Sequence, residues 1–272
     1  VRKIRFERID VGDARAEHGR GGSGPAVVFL HGWGLAPRSY SSSLAQLVEI
    51  GCTVAAPAQP GFGRTPALGS GECSFSGYAN WLARYLDAAG ISEPVVVVGH
   101  SFGGGVALQF AHDHPDRVRA VVACNGVGGT VRSGPADRHW WEWGRHLGSD
   151  VLALESVVRV LPAVLGEAVP NLVQNPLAMW RVAEFVRRAD LRREIRMIRH
   201  RRTPVTLVWS DRDRLVPHGS FSTLCTAAGV EGVVVPGHHN WLIADPARFS
   251  DIVLRALVDA GVIEETLSQL TA

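Results

Sequence analysis

Val95-Val96-Val97-Val98-Gly99-His100-Ser101-Phe102-Gly103-Gly104-Gly105 is the stretch on which the fold turns. Four consecutive valines read as a strand buried on both faces. Small and apolar residues then continue through Ala107, Leu108, Phe110 and Ala111 at helical spacing. Between the two lies Gly-x-Ser-x-Gly, with Ser101 at the bend. A strand, a sharp turn and a helix around that motif form a nucleophile elbow. The turn forces the serine into an unfavourable backbone conformation and lifts its hydroxyl out of the sheet. Residues two before and two after the serine crowd each other, so Gly99 and Gly103 avoid a clash. The helix start brings unpaired N–H groups and a positive dipole end to the same place.

Outward from this motif, apolar runs at 26–30, 52–56, 95–98, 118–123, 204–209 and 231–235 read as strands, and 3–9 with 12–18 as a strand pair. Helical patterns cover 39–50, 75–90, 102–113 and 246–259. Such alternation predicts an α/β fold, a largely parallel sheet with helices on both faces. Residues 126–202 interrupt it, opening on Gly126, Gly128, Gly129 and Gly134 and continuing with helical patterns rich in Trp, Leu, Val and Arg. The expected organisation is a core domain of residues 1–125 and 203–272 with a helical cap at 126–202. The cap is expected over the C-terminal edge of the sheet, where open α/β sheets bind ligands.

Composition narrows the function class. The chain has 272 residues, 46% of them hydrophobic, and a formal net charge of +2. That is enough chain for a large core and too little charge for a nucleic-acid partner. Cys52, Cys73, Cys124 and Cys225 are far apart and form no C-x-x-C pair, which fits buried free thiols in a reducing compartment. No apolar run approaches a membrane span, and the charged start at Arg2, Lys3, Arg5, Glu7 and Arg8 lacks the apolar core of a signal peptide. The expectation is a cytoplasmic protein acting on a small molecule, without a membrane span.

A serine nucleophile for acyl transfer needs an oxyanion site, a base and an acid. His31-Gly32-Trp33-Gly34 follows strand 26–30, and its glycines let the loop present the Trp33 N–H. The Phe102 N–H, next to the nucleophile, is the second expected donor. Asp211 and Asp213 both follow strand 204–209, and either can orient an imidazole; the other serves the turn. His238 and His239 follow strand 231–235 and are the candidate bases. The order Ser, Asp, His along the chain suits this kind of sheet enzyme.

With these residues the chain resembles the α/β-hydrolase superfamily over nearly its whole length. His31-Gly32-Trp33-Gly34 is similar to the family's oxyanion loop, and Gly99-His100-Ser101-Phe102-Gly103-Gly104 to its nucleophile motif. Pro60-Gly61-Phe62-Gly63-Arg64-Thr65 resembles the loop after the next strand, and His114-Pro115-Asp116-Arg117-Val118 the link into the strand after the nucleophile helix. The resemblance implies an α/β-hydrolase fold, a mostly parallel sheet flanked by helices, with a helical cap inserted after the strand that follows the nucleophile helix. It selects Asp213, the aspartate shortly before Val216-Pro217, over Asp211. It favours His239, a few residues before Pro246, with His238 as runner-up. Some members carry the acid after the strand following the nucleophile; that strand here ends in Cys124-Asn125, without a carboxylate. One departure is Ala58-Gln59 after Pro57, where the family often has an aspartate.

The resulting expectation is a serine hydrolase of carboxylic esters, needing no metal or organic cofactor. Carbon–carbon bond hydrolases, lactonases, lipases, amidases and cofactor-free perhydrolases share the same triad, and a pocket that only binds a small molecule is the non-enzymatic alternative. Epoxide hydrolases and haloalkane dehalogenases use an aspartate where this chain has Ser101. Trp140, Trp141, Trp143, Met179, Trp180 and Phe185 are candidates to line an apolar substrate pocket under the cap. Arg181, Arg188, Arg192, Arg196 and Arg199 read as a solvated helix face. His112 and His114, two apart near a helix end, face differently and make a poor metal pair, and H-E-x-x-H is absent from the sequence.

Overall fold

The computed structural model describes residues 4–129 and 154–263. The valine run lies in a strand, β5 (Val95–His100), in which every residue is buried. On one side it pairs in parallel with β3 (Ala26–Leu30), and on the other with β6 (Val118–Cys124). Beyond β3 come β4 (Thr53–Pro57), β2 (Ala14–Gly21) and β1 (Arg5–Val11); beyond β6 come β7 (Val205–Ser210) and β8 (Val233–Val235). Among the described residues the sheet has eight strands in the order β1-β2-β4-β3-β5-β6-β7-β8. β2 runs antiparallel to both its neighbours, and the remaining pairs are parallel.

Strand alternation sends the core to both faces. Val28, Leu30, Val95 and Val97 point to one cluster, which they share with α2 (Phe75–Ala88) and α3 (Phe102–Asp113) through Leu82, Tyr85 and Phe110. Val27, Phe29, Val96 and Val98 point to the other, shared with α1 (Ser41–Glu49) and α9 (Pro246–Asp259) through Leu44, Phe249 and Val253. Each of these fully buried side chains contributes about 1.5–3 kcal/mol. α2 begins where the Ser74 hydroxyl accepts the Gly77 N–H at 3.1 Å.

The segment between β6 and β7 contains α4 (Leu154–Gln174), α5 (Pro176–Arg187) and α6 (Arg192–His200). α7 (His218–Ala228) and the short α8 (Trp241–Ala244) follow β7 and β8. α6 packs against α3 and α7, beside the sheet. The stretch that the sequence marks as cap, 126–202, thus includes one helix of the layer flanking the sheet. Ile195 and Ile198 are buried while Arg192, Arg193, Arg196 and Arg199 are exposed. Helical spacing alone reveals that amphipathic face but not which neighbour covers it. Among the described residues no helix is long and apolar enough to cross a membrane.

Candidate active site

Ser101 joins β5 to α3 at φ 55° and ψ −116°, in the left-handed half of backbone space, a conformation costing about 1–3 kcal/mol. The surroundings hold it there. Its N–H donates to Cys124 O at 2.9 Å, and its carbonyl accepts from Gly104 at 3.0 Å and Val127 at 3.2 Å. A Cβ on Gly99 would collide with the Gly103 backbone, as the motif predicts. A Cβ on Gly103 would meet the carbonyls at the end of β3 instead, running into Leu30 and lying 2.6 Å from His31 O. The second glycine therefore lets the nucleophile helix approach the neighbouring strand.

Ser101 and His239 line one cavity together with Gly32, Trp33 and Gly34. His239 Nδ1 donates to Asp213 Oδ2 at 2.8 Å. Asp213 Oδ1 accepts the N–H groups of Leu215 at 2.7 Å and Val216 at 3.0 Å, and Oδ2 also accepts from Asn125 Nδ2. Burial pushes the Asp213 carboxyl up, but the His239 charge and the hydrogen bonds from His239, Asn125 and Val216 outweigh it and hold the carboxyl below its ordinary range. His238 offers its carbonyl to Ser210 Oγ at 3.0 Å and to Trp241 N at 3.0 Å, and its ring is not among the cavity-lining groups. Asp211 is exposed and accepts the Gly237 N–H at 2.9 Å, the turn role open to one of the two aspartates.

The Phe102 and Gly103 N–H groups open α3, ahead of its first internal hydrogen bonds at Gly104 and Gly105. Phe102 turns its ring into the core against Phe62, Phe75 and Tyr78. Trp33 is tied down by its side chain, whose Nε1 donates to Met179 O on α5 at 2.9 Å. Asn171 on α4 bridges the same region, donating to Gly34 O at 2.9 Å and accepting from Gly63 N at 2.9 Å.

A second polar layer lies behind His239. His100 Nε2 donates to the His239 carbonyl at 2.9 Å; because a carbonyl only accepts, this nitrogen carries the hydrogen. His100 Nδ1 then accepts the Tyr40 hydroxyl at 2.7 Å, and that hydroxyl oxygen accepts the Gly32 N–H at 3.1 Å. Burial, reinforced by the nearby His239, pushes His100 down to about 3, so it stays neutral. His31 is likewise pushed down to about 4 by burial. Its Nδ1 donates to Gly32 O and its Nε2 accepts the Gln59 N–H, each at 2.9 Å. Gln59, from the loop that departs from the family pattern, thereby clamps the loop after β3.

Of the candidate pocket residues, Trp140, Trp141 and Trp143 lie outside the described residues. Trp180 is 62% exposed and does not reach the cavity. Phe185 packs its ring on Phe75, Tyr78 and Phe102 behind the elbow rather than on the cavity wall. The aromatic content of the segment nominates both side chains, but it does not say which neighbour each ring meets. Ala168, Val127, Leu215 and Val216 line the cavity instead, and sequence reasoning missed them, as it missed Asn125 and Asn171. Asn125 had one available signal, its position one residue past β6 at the same sheet edge. Among the described residues no group of three or more His, Cys, Asp or Glu is placed to hold a metal ion.

Comparison with known proteins agrees with this architecture. Residues 25–153 match the family model described as alpha/beta hydrolase fold. A putative non-heme haloperoxidase from Mycobacterium phage D29 is 25% identical over 250 residues, 88% of this chain and 89% of that protein. The pimeloyl-[acyl-carrier protein] methyl ester esterase of Aromatoleum aromaticum is 39% identical over 98 residues, 36% of each. The meta-cleavage product hydrolase from Pseudomonas fluorescens IP01 superposes with a TM-score of 0.77 at 21% identity, covering 93% of this chain and 98% of that one. Its strand order, its strained elbow serine and these likenesses give the chain the α/β-hydrolase fold.

Proposed function

We propose that this hydrolase cleaves carboxylic esters through Ser101, His239 and Asp213. The observation that carries the reading is the His239 Nδ1–H bond to Asp213, which leaves Nε2 as the unprotonated nitrogen of a ring on the same cavity as Ser101. His239 Nε2 takes the hydroxyl proton as Ser101 Oγ attacks the carbonyl carbon. Asp213 stabilises the imidazolium. The Trp33 and Phe102 N–H groups bind the oxyanion of the tetrahedral intermediate. Collapse expels the alkoxide, which takes the proton from His239 and leaves acyl-Ser101. Water, deprotonated by His239, then attacks the acyl carbon and releases the acid.

The cavity supports short, apolar acyl groups. Its volume is about 50 Å³, and among the described residues its apolar wall is Trp33, Leu35, Val127, Ala168, Leu215 and Val216. The named esterase relative supports ester chemistry, and the His239–Asp213 pair beside Ser101 is compatible with it. The test is a panel of p-nitrophenyl esters of graded chain length, with a lactone and a carbon–carbon bond substrate alongside. Acetate and butyrate esters are expected to be turned over fastest, and Ser101→Ala to abolish turnover with an unchanged melting temperature. Wild-type turnover by Ser101→Ala, or no fluorophosphonate adduct at Ser101, defeats the reading in favour of a binding pocket.

A further inference from the structure

We propose that Asn125 is a positioning residue for the acid: its side-chain amide aims Asp213 Oδ2 at His239 and joins the acid loop to the base loop. The inference rests on the triad reading above. Asn125 stands just after β6 at φ 48°, a conformation asparagine tolerates better than most residues. Its backbone N–H donates to Val208 O at 2.7 Å, locking it to β7. It is 1% exposed, and its amide has a partner on each side. Oδ1 accepts from Trp241 Nε1 at 2.8 Å, and Nδ2 donates to Ser210 Oγ at 2.7 Å and to Asp213 Oδ2. An indole N–H only donates, so the Trp241 bond decides which end of the amide faces Asp213. The loops after β6, β7 and β8 thus converge on one amide.

The Leu215 and Val216 N–H groups already hold Asp213 Oδ1. What Asn125 adds is a donor on Oδ2, the oxygen that faces the imidazole. A donor there draws charge from the oxygen that stabilises the protonated ring, so His239 remains a neutral base to lower pH. The other ionisable groups around the pair come from several elements. His100, after β5, has its ring 4.8 Å from that of His239. Tyr40 bonds His100 from the far side, and His31 acts on it through space. Cys124 precedes Asn125, Asp211, Arg212 and Arg214 are exposed on the acid loop, and His238 precedes the base. His100 stays neutral throughout the assay range.

The experiment is the rate of fluorophosphonate labelling of Ser101 against pH, for wild type, Asn125→Gly and Trp241→Phe. Glycine removes the amide without straining the positive φ. In Asn125→Gly the acid limb of the profile is expected to rise by ~0.5 pH unit or more, with a plateau rate ~10-fold lower. Trp241→Phe frees the amide orientation and is expected to raise the limb by a smaller step. A limb at the wild-type position in Asn125→Gly, with only a lower plateau or melting temperature, makes Asn125 a packing residue and overturns the proposal. Should Asn125→Gly not fold, an unmoved limb in Trp241→Phe overturns it equally. Labelling that persists in Ser101→Ala defeats the triad reading itself, a result distinct from either Asn125 outcome.

Discussion

The cavity has two unlike walls. One is made of loops leaving the sheet and carries Ser101 and His239, with Asp213 and Asn125 behind them. The other, among the described residues, is Ala168 on α4, with Asn171 and Met179 behind it. In the sheet wall the polar groups bond mainly to one another and to backbone N–H groups of the loop after β7. In the cap wall the described attachment runs through Asn171 to Gly34 and Gly63, and from Trp33 to Met179. The sheet wall is therefore suited to hold a reactive geometry, and the cap wall to set shape while still touching the oxyanion loop.

The largest effect belongs to the sheet wall. Asp213→Asn keeps the shape but offers the wrong hydrogen-bonding partner to His239 Nδ1, so ester turnover should fall ~10⁴-fold, read by steady-state kinetics with an unchanged circular dichroism spectrum. Turnover within tenfold of wild type would return the acid role to Asp211. Gly103→Ala drives a Cβ into the β3 carbonyls; melting should occur ~5 °C or more below wild type, and an unshifted transition would mean the elbow can relax.

At the cap wall, Asn171→Ala should lower kcat/KM by ~10-fold, through displacement of the Trp33 loop. Affinity for a trifluoromethyl ketone, which places an oxyanion in the same site, should weaken in step. Unchanged affinity would show that the two walls act independently.

The polar layer beneath both walls predicts a pH dependence of stability. His31 and His100 are depressed from 6.5 to about 4 and about 3. Below pH 6.5 the unfolded chain takes up their protons while the folded protein does not, so stability should fall as pH drops from 6.5 toward 4. His100→Gln should flatten part of that slope in urea titrations at stepped pH. A slope identical to wild type would remove His100 from the account. Trp180→Ser marks the small end: stability should change by less than ~0.5 kcal/mol, and ester kinetics should not move. A clear loss of activity there would put the exposed indole back in the substrate path.

The difference between the walls also explains what the sequence could reveal. Each sheet-wall residue sits one to four residues past a strand, and strands are marked by apolar runs such as Ala26–Leu30 and Val95–Val98. Their ends locate the loops, so the loops that hold the candidates Ser101, Asp213 and His239 were legible from order and spacing. Between neighbouring candidates the physics of spacing was silent. Asp211 and Asp213 lie on the same loop, and only the geometry shows one bonding Gly237 and the other His239. Trp180 and Phe185 lie off the cavity for a related reason: aromatic content does not say which surface a side chain meets, and here one is exposed and the other packs behind the elbow.

The sequence by itself determined the alternation of strand and helix, the elbow at Ser101 and the set of loops that carry the candidate acid and base. These follow from local rules: apolar periodicity, the sterics of glycine and the chemistry of each side chain. Only the tertiary structure decided that Asn125 bonds Asp213, that Asn171 reaches Gly34, and that His100 and His31 lie buried and neutral. Those facts depend on contacts between residues tens of positions apart or more, which burial and hydrogen-bond satisfaction select only once the whole chain has folded.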